Sequence, residues 1–145
     1  MNSSIQGVSA VRDLGVLRAQ GPDAASFLHN QLTQDFLHLD MHQARLAGFC
    51  NAKGRLQASL IGLQHEQNDI LLLCHTSLIA ATLKRLSMFI LRAKVKLSDD
   101  SGLFNLWGLM GDTATAAMGQ PGGAPWQRLD SEHGTCISLY PSGGK

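Results

Sequence analysis

Arg45-Leu46-Ala47-Gly48-Phe49-Cys50-Asn51-Ala52-Lys53-Gly54-Arg55-Leu56-Gln57-Ala58-Ser59-Leu60-Ile61-Gly62-Leu63-Gln64 is the stretch whose reading decides the fold. Two apolar runs flank Asn51-Ala52-Lys53-Gly54. Gly54 tolerates the positive φ that a tight reversal needs, so the stretch predicts a β-hairpin. Its tip presents an amide and two cations, Lys53 and Arg55. The apolar residues do not alternate cleanly, which predicts strands covered over part of both faces and a pair that lies centrally in its sheet. Gly48 and Gly62, inside these strands, mark places where a bulge or a close neighbour needs the room of a missing side chain. By local pattern alone the tip also reads as a solvated turn.

Upstream of the hairpin, Gly15 to Gln20 reads as a strand stopped by Gly21-Pro22-Asp23, and Pro22 with the acid after it suits the first turn of a helix. Ala24, Phe27, Leu28 and Gln31-Leu32 recur at helical spacing, which predicts about three turns with Phe27 and Leu28 as core anchors. Thr33-Gln34-Asp35 then forms a turn in which Thr33 and Asp35 bond nearby amides. Downstream, Glu66 to Asp69 is a polar turn, and Ile70-Leu71-Leu72-Leu73-Cys74 is a strand buried on both faces at the centre of the sheet. Thr76 or Ser77 caps a helix whose Ile79, Leu83, Leu86 and Ile90 share one face. Arg92 to Leu97 alternates charge and apolar residue as a half-exposed strand near an edge. Leu103 to Met110 is a further strand, Thr113 to Met118 a short helix, and Cys136 to Tyr140 a last strand. The order predicts an α+β domain with a mixed or antiparallel sheet and helices on one face. Residues 1–14 read as a loose leader, 15–140 as the folded domain, and 141–145 as the tail of a truncated chain.

A chain of 145 residues with 44% hydrophobic and 16% charged residues is one globular domain of ordinary size. Its net charge of +1 supplies no global field that would draw a polyanion or an anionic membrane. No stretch approaches the roughly 20 apolar residues that span a bilayer, so no membrane partner is expected. Cys50, Cys74 and Cys136 are odd in number and sit among apolar neighbours, which predicts reduced thiols in a cytoplasmic protein. His38 and His42 lie four apart without a third ligand, and no metal site is expected. GxGxxG, Walker, GxSxG and HExxH patterns are all absent. Lys84, Arg85, Arg92, Lys94 and Lys96 form a basic cluster that lacks a stacking platform, so direct nucleic-acid binding is not expected.

Gly21-Pro22-Asp23-Ala24 with Phe27-Leu28, then Gln31-Leu32-Thr33-Gln34-Asp35, then Asn51-Ala52-Lys53-Gly54-Arg55, resemble in order and spacing the first domain of YgfZ-type folate-binding proteins. Leu91-Arg92-Ala93-Lys94-Val95 and Gly108-Leu109-Met110-Gly111 extend the resemblance over nearly the whole chain. That family is related to the T-protein of the glycine cleavage system, an aminomethyltransferase that uses tetrahydrofolate. The resemblance implies three domains around a central folate pocket, with this chain as the first. It also implies a role in the assembly or repair of iron–sulfur clusters, including those of radical enzymes that modify tRNA, and so iron–sulfur proteins as partners.

The chain departs from these families at two places. T-proteins carry a pair of aspartates where this chain has Ala58 and Ser59, neither of which can act as a carboxylate base. The Lys-Gly-Cys-aromatic-x-Gly-Gln-Glu signature of YgfZ-type proteins is also missing from these 145 residues. The first departure argues against aminomethyl transfer.

A folate site needs an apolar wall, amide or carboxylate partners for the pterin edge, and a cation for the anionic tail. Asn51 and Gln57 are the amide candidates, Lys53 and Arg55 the cations, and Asp35 a further candidate carboxylate. The alternatives are a folate-dependent aminomethyltransferase and a non-enzymatic interaction or RNA-binding domain.

Overall fold

The computed structural model describes residues 6–140. Strands β1 (Gly7–Ala10), β2 (Leu14–Gln20), β3 (Ala44–Cys50), β4 (Leu56–Glu66), β5 (Asp69–His75), β6 (Lys96–Asp99), β7 (Trp107–Met110), β8 (Arg128–Ser131) and β9 (Gly134–Ile137) alternate with helices α1 (Ala24–Gln31), α2 (Thr76–Ser87) and α3 (Asp112–Met118). β2 to β6 form a five-stranded sheet in the order β3-β4-β5-β2-β6, and every pairing in it is antiparallel. The continuous apolar run of β5 takes the middle place, where both faces are dry. Two further pairs, β1 with β7 and β8 with β9, stand outside that sheet.

The two faces are covered differently. Phe27 and Leu28 of α1 and Ile79 and Leu86 of α2 pack with Leu17, Phe49, Leu60 and Leu72 into the main core on one face. On the other, Val16, Ala44, Leu63 and Leu71 are roofed by Phe104, Leu106, Trp126 and Ile137, from the chain around β7 and the β8–β9 hairpin. The domain is thus α+β with an antiparallel sheet and its two longer helices on one face, as read from the sequence.

Several local expectations are corrected. The hairpin pair is not central, because β3 is the outermost strand. Its free edge is closed from outside instead: Thr33 N–H donates to the Gly48 carbonyl at 3.0 Å, Gly48 N–H donates to Thr33 Oγ1 at 2.7 Å, and Ala44 N–H donates to the Trp126 carbonyl at 2.8 Å. An edge covered this way presents the same mixed hydrophobic pattern as an interior strand. Within the stretch read as a loose leader, Gly7–Ala10 form β1, because β7 offers them a backbone ladder. Residues 1–5, and the tail at 141–145, lie outside the described residues. α1 starts at Ala24 and is shorter than expected, with Asp23 directing its carboxylate to the Lys94 N–H at 2.7 Å instead of capping the helix. α2 is capped by His75, whose Nδ1 accepts from the Ser77 N–H, and not by Thr76 or Ser77. α2 ends at Ser87, short of Ile90.

Gly62 needs its missing side chain for packing. A Cβ there would lie 2.5 Å from the ring of Phe36, which is fully buried. Because the ring has nowhere to move, Gly62→Ala is expected to destabilise the fold by about 2 kcal/mol, read as a lower urea midpoint at unchanged slope.

Candidate functional site

The tip of the β3–β4 hairpin is built by Asn51. Its side-chain Oδ1 accepts from the backbone N–H groups of Lys53 and Arg55, both at 3.0 Å. Its own N–H donates to the Arg55 carbonyl, and its carbonyl accepts from Gly54 N–H. Gly54 has φ +75°, the left-handed conformation expected of it. The Asn51 oxygen is thereby used internally, while Lys53, Arg55 and Gln57 are exposed. A register shift between Phe49 and Cys50 leaves Gln57 as the extra residue of a β-bulge, and its Nε2 donates back to the carbonyls of Arg55 and Leu56. The fold therefore gathers Asn51, Lys53, Arg55 and Gln57 at one hairpin tip.

Asp35 is placed elsewhere. Its carboxylate accepts from the His38 N–H at 3.1 Å and lies 2.7 Å from His38 Nδ1. His29 Nδ1 is 3.3 Å away and an Arg45 guanidinium nitrogen 3.7 Å. Arg45 also donates to the Asp35 carbonyl at 2.6 Å. The hydrogen bond from the His38 side chain, then that from its backbone and the nearby charges, hold the Asp35 carboxyl down to about 2. At about 3.3 Å per residue, roughly 20 Å of strand separates Arg45 from Asn51. Asp35 therefore organises its own loop and does not join the tip.

The alternation of β3 and β4 shows what sequence reasoning missed. Leu46 pairs with Ile61, Gly48 with Ser59 and Cys50 with Leu56, and Ile61 packs toward the second core. These residues share the sheet face whose roof reaches only the far end. Leu46, near the far end of β3, remains 47% exposed, and Leu56, at the tip end of β4, 60%. The result is an open apolar strip whose Leu56 end adjoins Lys53 and Arg55, readable in the sequence only once the register is known.

Two concave surfaces lie away from this strip. One, about 260 Å³, lies between β1–β7 and the sheet, against Leu14, Phe104 and Trp107. The other, about 480 Å³, lies between α1 and the chain after α2. None of Asp35, Asn51, Lys53, Arg55 and Gln57 lines either one. Among the described residues no group of three or more His, Cys, Asp and Glu side chains is arranged to hold a metal ion, and no helix is long and apolar enough to cross a membrane.

No protein-family model matches the chain. It is 31% identical over 135 residues to the tRNA-modifying protein YgfZ of Vibrio vulnificus (strain CMCP6), covering 92% of this chain and 41% of that one. The tRNA-modifying protein YgfZ of Edwardsiella ictaluri (strain 93-146) is 33% identical over 103 residues, covering 71% of this chain and 30% of its own length. In three dimensions the chain is similar to the glycine cleavage system aminomethyltransferase T of Bartonella henselae, with a TM-score of 0.70 at 19% identity over 89% of this chain and 37% of that one. The chain is YgfZ-like in sequence and T-protein-like in fold. It spans between 30% and 41% of the length of these YgfZ relatives.

On this YgfZ-like frame the two positions that the resemblance equates with the T-protein aspartates are not equivalent. Ala58 is buried in the main core, whereas Ser59, paired with Gly48, lies on the open strip. Only position 59 would present an acid to a ligand on that face.

Asn51→Ala leaves two backbone donors without their acceptor and is expected to cost about 1 kcal/mol, with faster amide exchange at Lys53 and Arg55 as the local readout. For Asp35 the folded carboxyl titrates below its unfolded value. Its contribution is therefore complete above the unfolded value and is lost as pH falls toward about 2. Asp35→Asn should lower stability at neutral pH, and the gap from the parent chain should close in urea melts as pH drops from about 4 to 2.

Proposed function

We propose that this chain forms part of a tetrahydrofolate site in a YgfZ-like accessory protein that serves iron–sulfur cluster assembly or repair in the cytoplasm. The observation that carries the reading is the open apolar strip that runs from the Leu46–Ile61 pair to Leu56, its near end adjoining Lys53 and Arg55, neither of which has an ion-pair partner among the described residues. A folate has the complementary pair of features, a flat ring system and an anionic glutamate tail. The ring would lie on the strip and the tail would reach the cations. The Asn51 side-chain amide nitrogen and the Gln57 side-chain oxygen remain available to a polar edge. Asp35, committed to His38 and Arg45, is left out of this arrangement. The remaining walls belong to the length of the relatives that this chain does not span.

The tRNA modification in the relatives' names would follow from support of iron–sulfur enzymes, and those enzymes would be the partners. Aminomethyl transfer is the weaker reading, since Ala58 is buried and Ser59 cannot serve as a carboxylate base.

The test is a titration of this chain, and of the full-length Vibrio vulnificus relative, with a reduced folate, followed by calorimetry. A single wall should bind at least about a hundredfold more weakly than the whole pocket. Replacing Lys53 and Arg55 together by Ala should weaken the chain's binding further, by about tenfold. Equal tight binding by both proteins, or indifference to the double substitution, would overturn the proposal.

A further inference from the structure

The chain that follows α2 exposes apolar side chains on a fixed backbone. Met88 is 69% exposed, Phe89 52% and Leu91 88%, whereas Ile90, Ala93 and Val95 turn inward onto the main core. Residues 88–90 continue from α2 through backbone bonds to Arg85, Leu86 and Ser87. A few residues on, Lys94 N–H donates to the Asp23 carboxylate at 2.7 Å, and Asp23 N–H donates to the Lys94 carbonyl at 3.2 Å. Gly21, at φ +135°, lies so near that a Cβ would sit 2.2 Å from the Lys94 oxygen. The backbone carrying Leu91 and Arg92 is therefore clamped between α2 and the start of α1.

Between this strip and α1 runs the groove of about 480 Å³, bordered by Phe27, Asn30, Gln31, Phe89, Leu91 and Arg92. The side-chain amides of Asn30 and Gln31 make no hydrogen bond among the described residues. Arg92 on the groove, Lys94 two residues on, and Lys84 and Arg85 near the end of α2 are exposed, and none of them takes part in an ion pair among the described residues. Lys84 and Arg85 sit in the last turn of α2, where they offset the helix dipole. Arg92 and Lys94 have no such internal purpose. Asp23, the acid on the groove, is already engaged by the Lys94 amide.

We propose that this groove docks an acidic amphipathic helix of a partner protein. The cations call for a partner of negative charge, and large apolar side chains held in the open call for an apolar face to cover them. Asn30 and Gln31 supply hydrogen bonds at the rim. Phe89 is the one exposed ring of the strip and its companions are aliphatic, a poor platform for stacked bases. A net charge of +1 supplies no global field that would draw an anionic bilayer. The site is separate from the hairpin tip and does not depend on the folate reading.

The experiment is fluorescence anisotropy with a labelled synthetic helix of about 18 residues, Leu on one face and Glu on the other, set against the same peptide with Lys for Glu. Phosphatidylglycerol vesicles and a single-stranded RNA oligomer are run alongside. The acidic peptide should bind with Kd on the order of 10 μM. Leu91→Ser and Arg92→Glu, both exposed changes that leave the fold intact by circular dichroism, should each weaken it by about tenfold or more. Raising salt from about 0.05 to 0.5 M should weaken it too, and Lys53→Glu should leave it unchanged. The proposal is overturned by absence of saturable binding of the acidic peptide, by equal binding of the Lys peptide, or by insensitivity to both groove variants. Tighter binding of vesicles or RNA that is lost in Arg92→Glu would likewise overturn it, reassigning the patch to that class.

Discussion

A five-stranded sheet has two faces and two edges to keep from water or from other chains, and the arrangement of this protein follows from how each is protected. Two helices close one face. On the other, Phe104, Leu106, Trp126 and Ile137 cover Val16, Ala44, Leu63 and Leu71 and stop there. β3 is sealed along its outer side by Thr33 at one end and Trp126 at the other, while β6 is short and carries an exposed lysine at its start. The part left without cover is the tip end of the second face, and the open strip and two unpaired cations meet there.

Inside this frame one ion pair ties three segments together. The Arg18 guanidinium on β2 donates to both oxygens of Asp69 at the start of β5, at 2.9 and 2.6 Å, and reaches Asp100 just beyond β6 at 3.3 Å. Asp69 is buried, and its two bonds to Arg18 are what make that burial tolerable. The pair does at the β5 end of the sheet what Asp35 and Arg45 do for the loop beside β3: both are charged clamps on backbone geometry. This explains why a carboxylate that looked available in the sequence has no freedom to serve a ligand.

The hairpin turn was legible because its determinants are local. Asn51 can bond the amides that follow it, and Gly54 can adopt the conformation that closes the loop. The central place of β5 was legible too, since an uninterrupted apolar run is tolerated only where both faces are dry. The edge position of β3 was not. Its covering residues come from other segments, Thr33 from the turn after α1 and Trp126 from the approach to β8, and a strand covered by loops has the same composition as one covered by strands. β1 was missed for a related reason: Gly7–Ala10 carry weak strand character, and their pairing with β7 brings together residues about a hundred positions apart.

The amino-acid sequence by itself determined the α+β class, the hairpin with its cationic tip, the core-facing residues of the first two helices, and the likeness to YgfZ-type proteins. Each depends on residue type and near-neighbour spacing, which act before the chain is compact. The tertiary structure alone decided that Asp35 belongs to Arg45 and His38 and not to the tip, that Ser59 faces the open strip while Ala58 is buried, and that Phe89, Leu91 and Arg92 border a groove with α1. These facts depend on strand register and on segments meeting across the fold, and neither is encoded in any short stretch of chain.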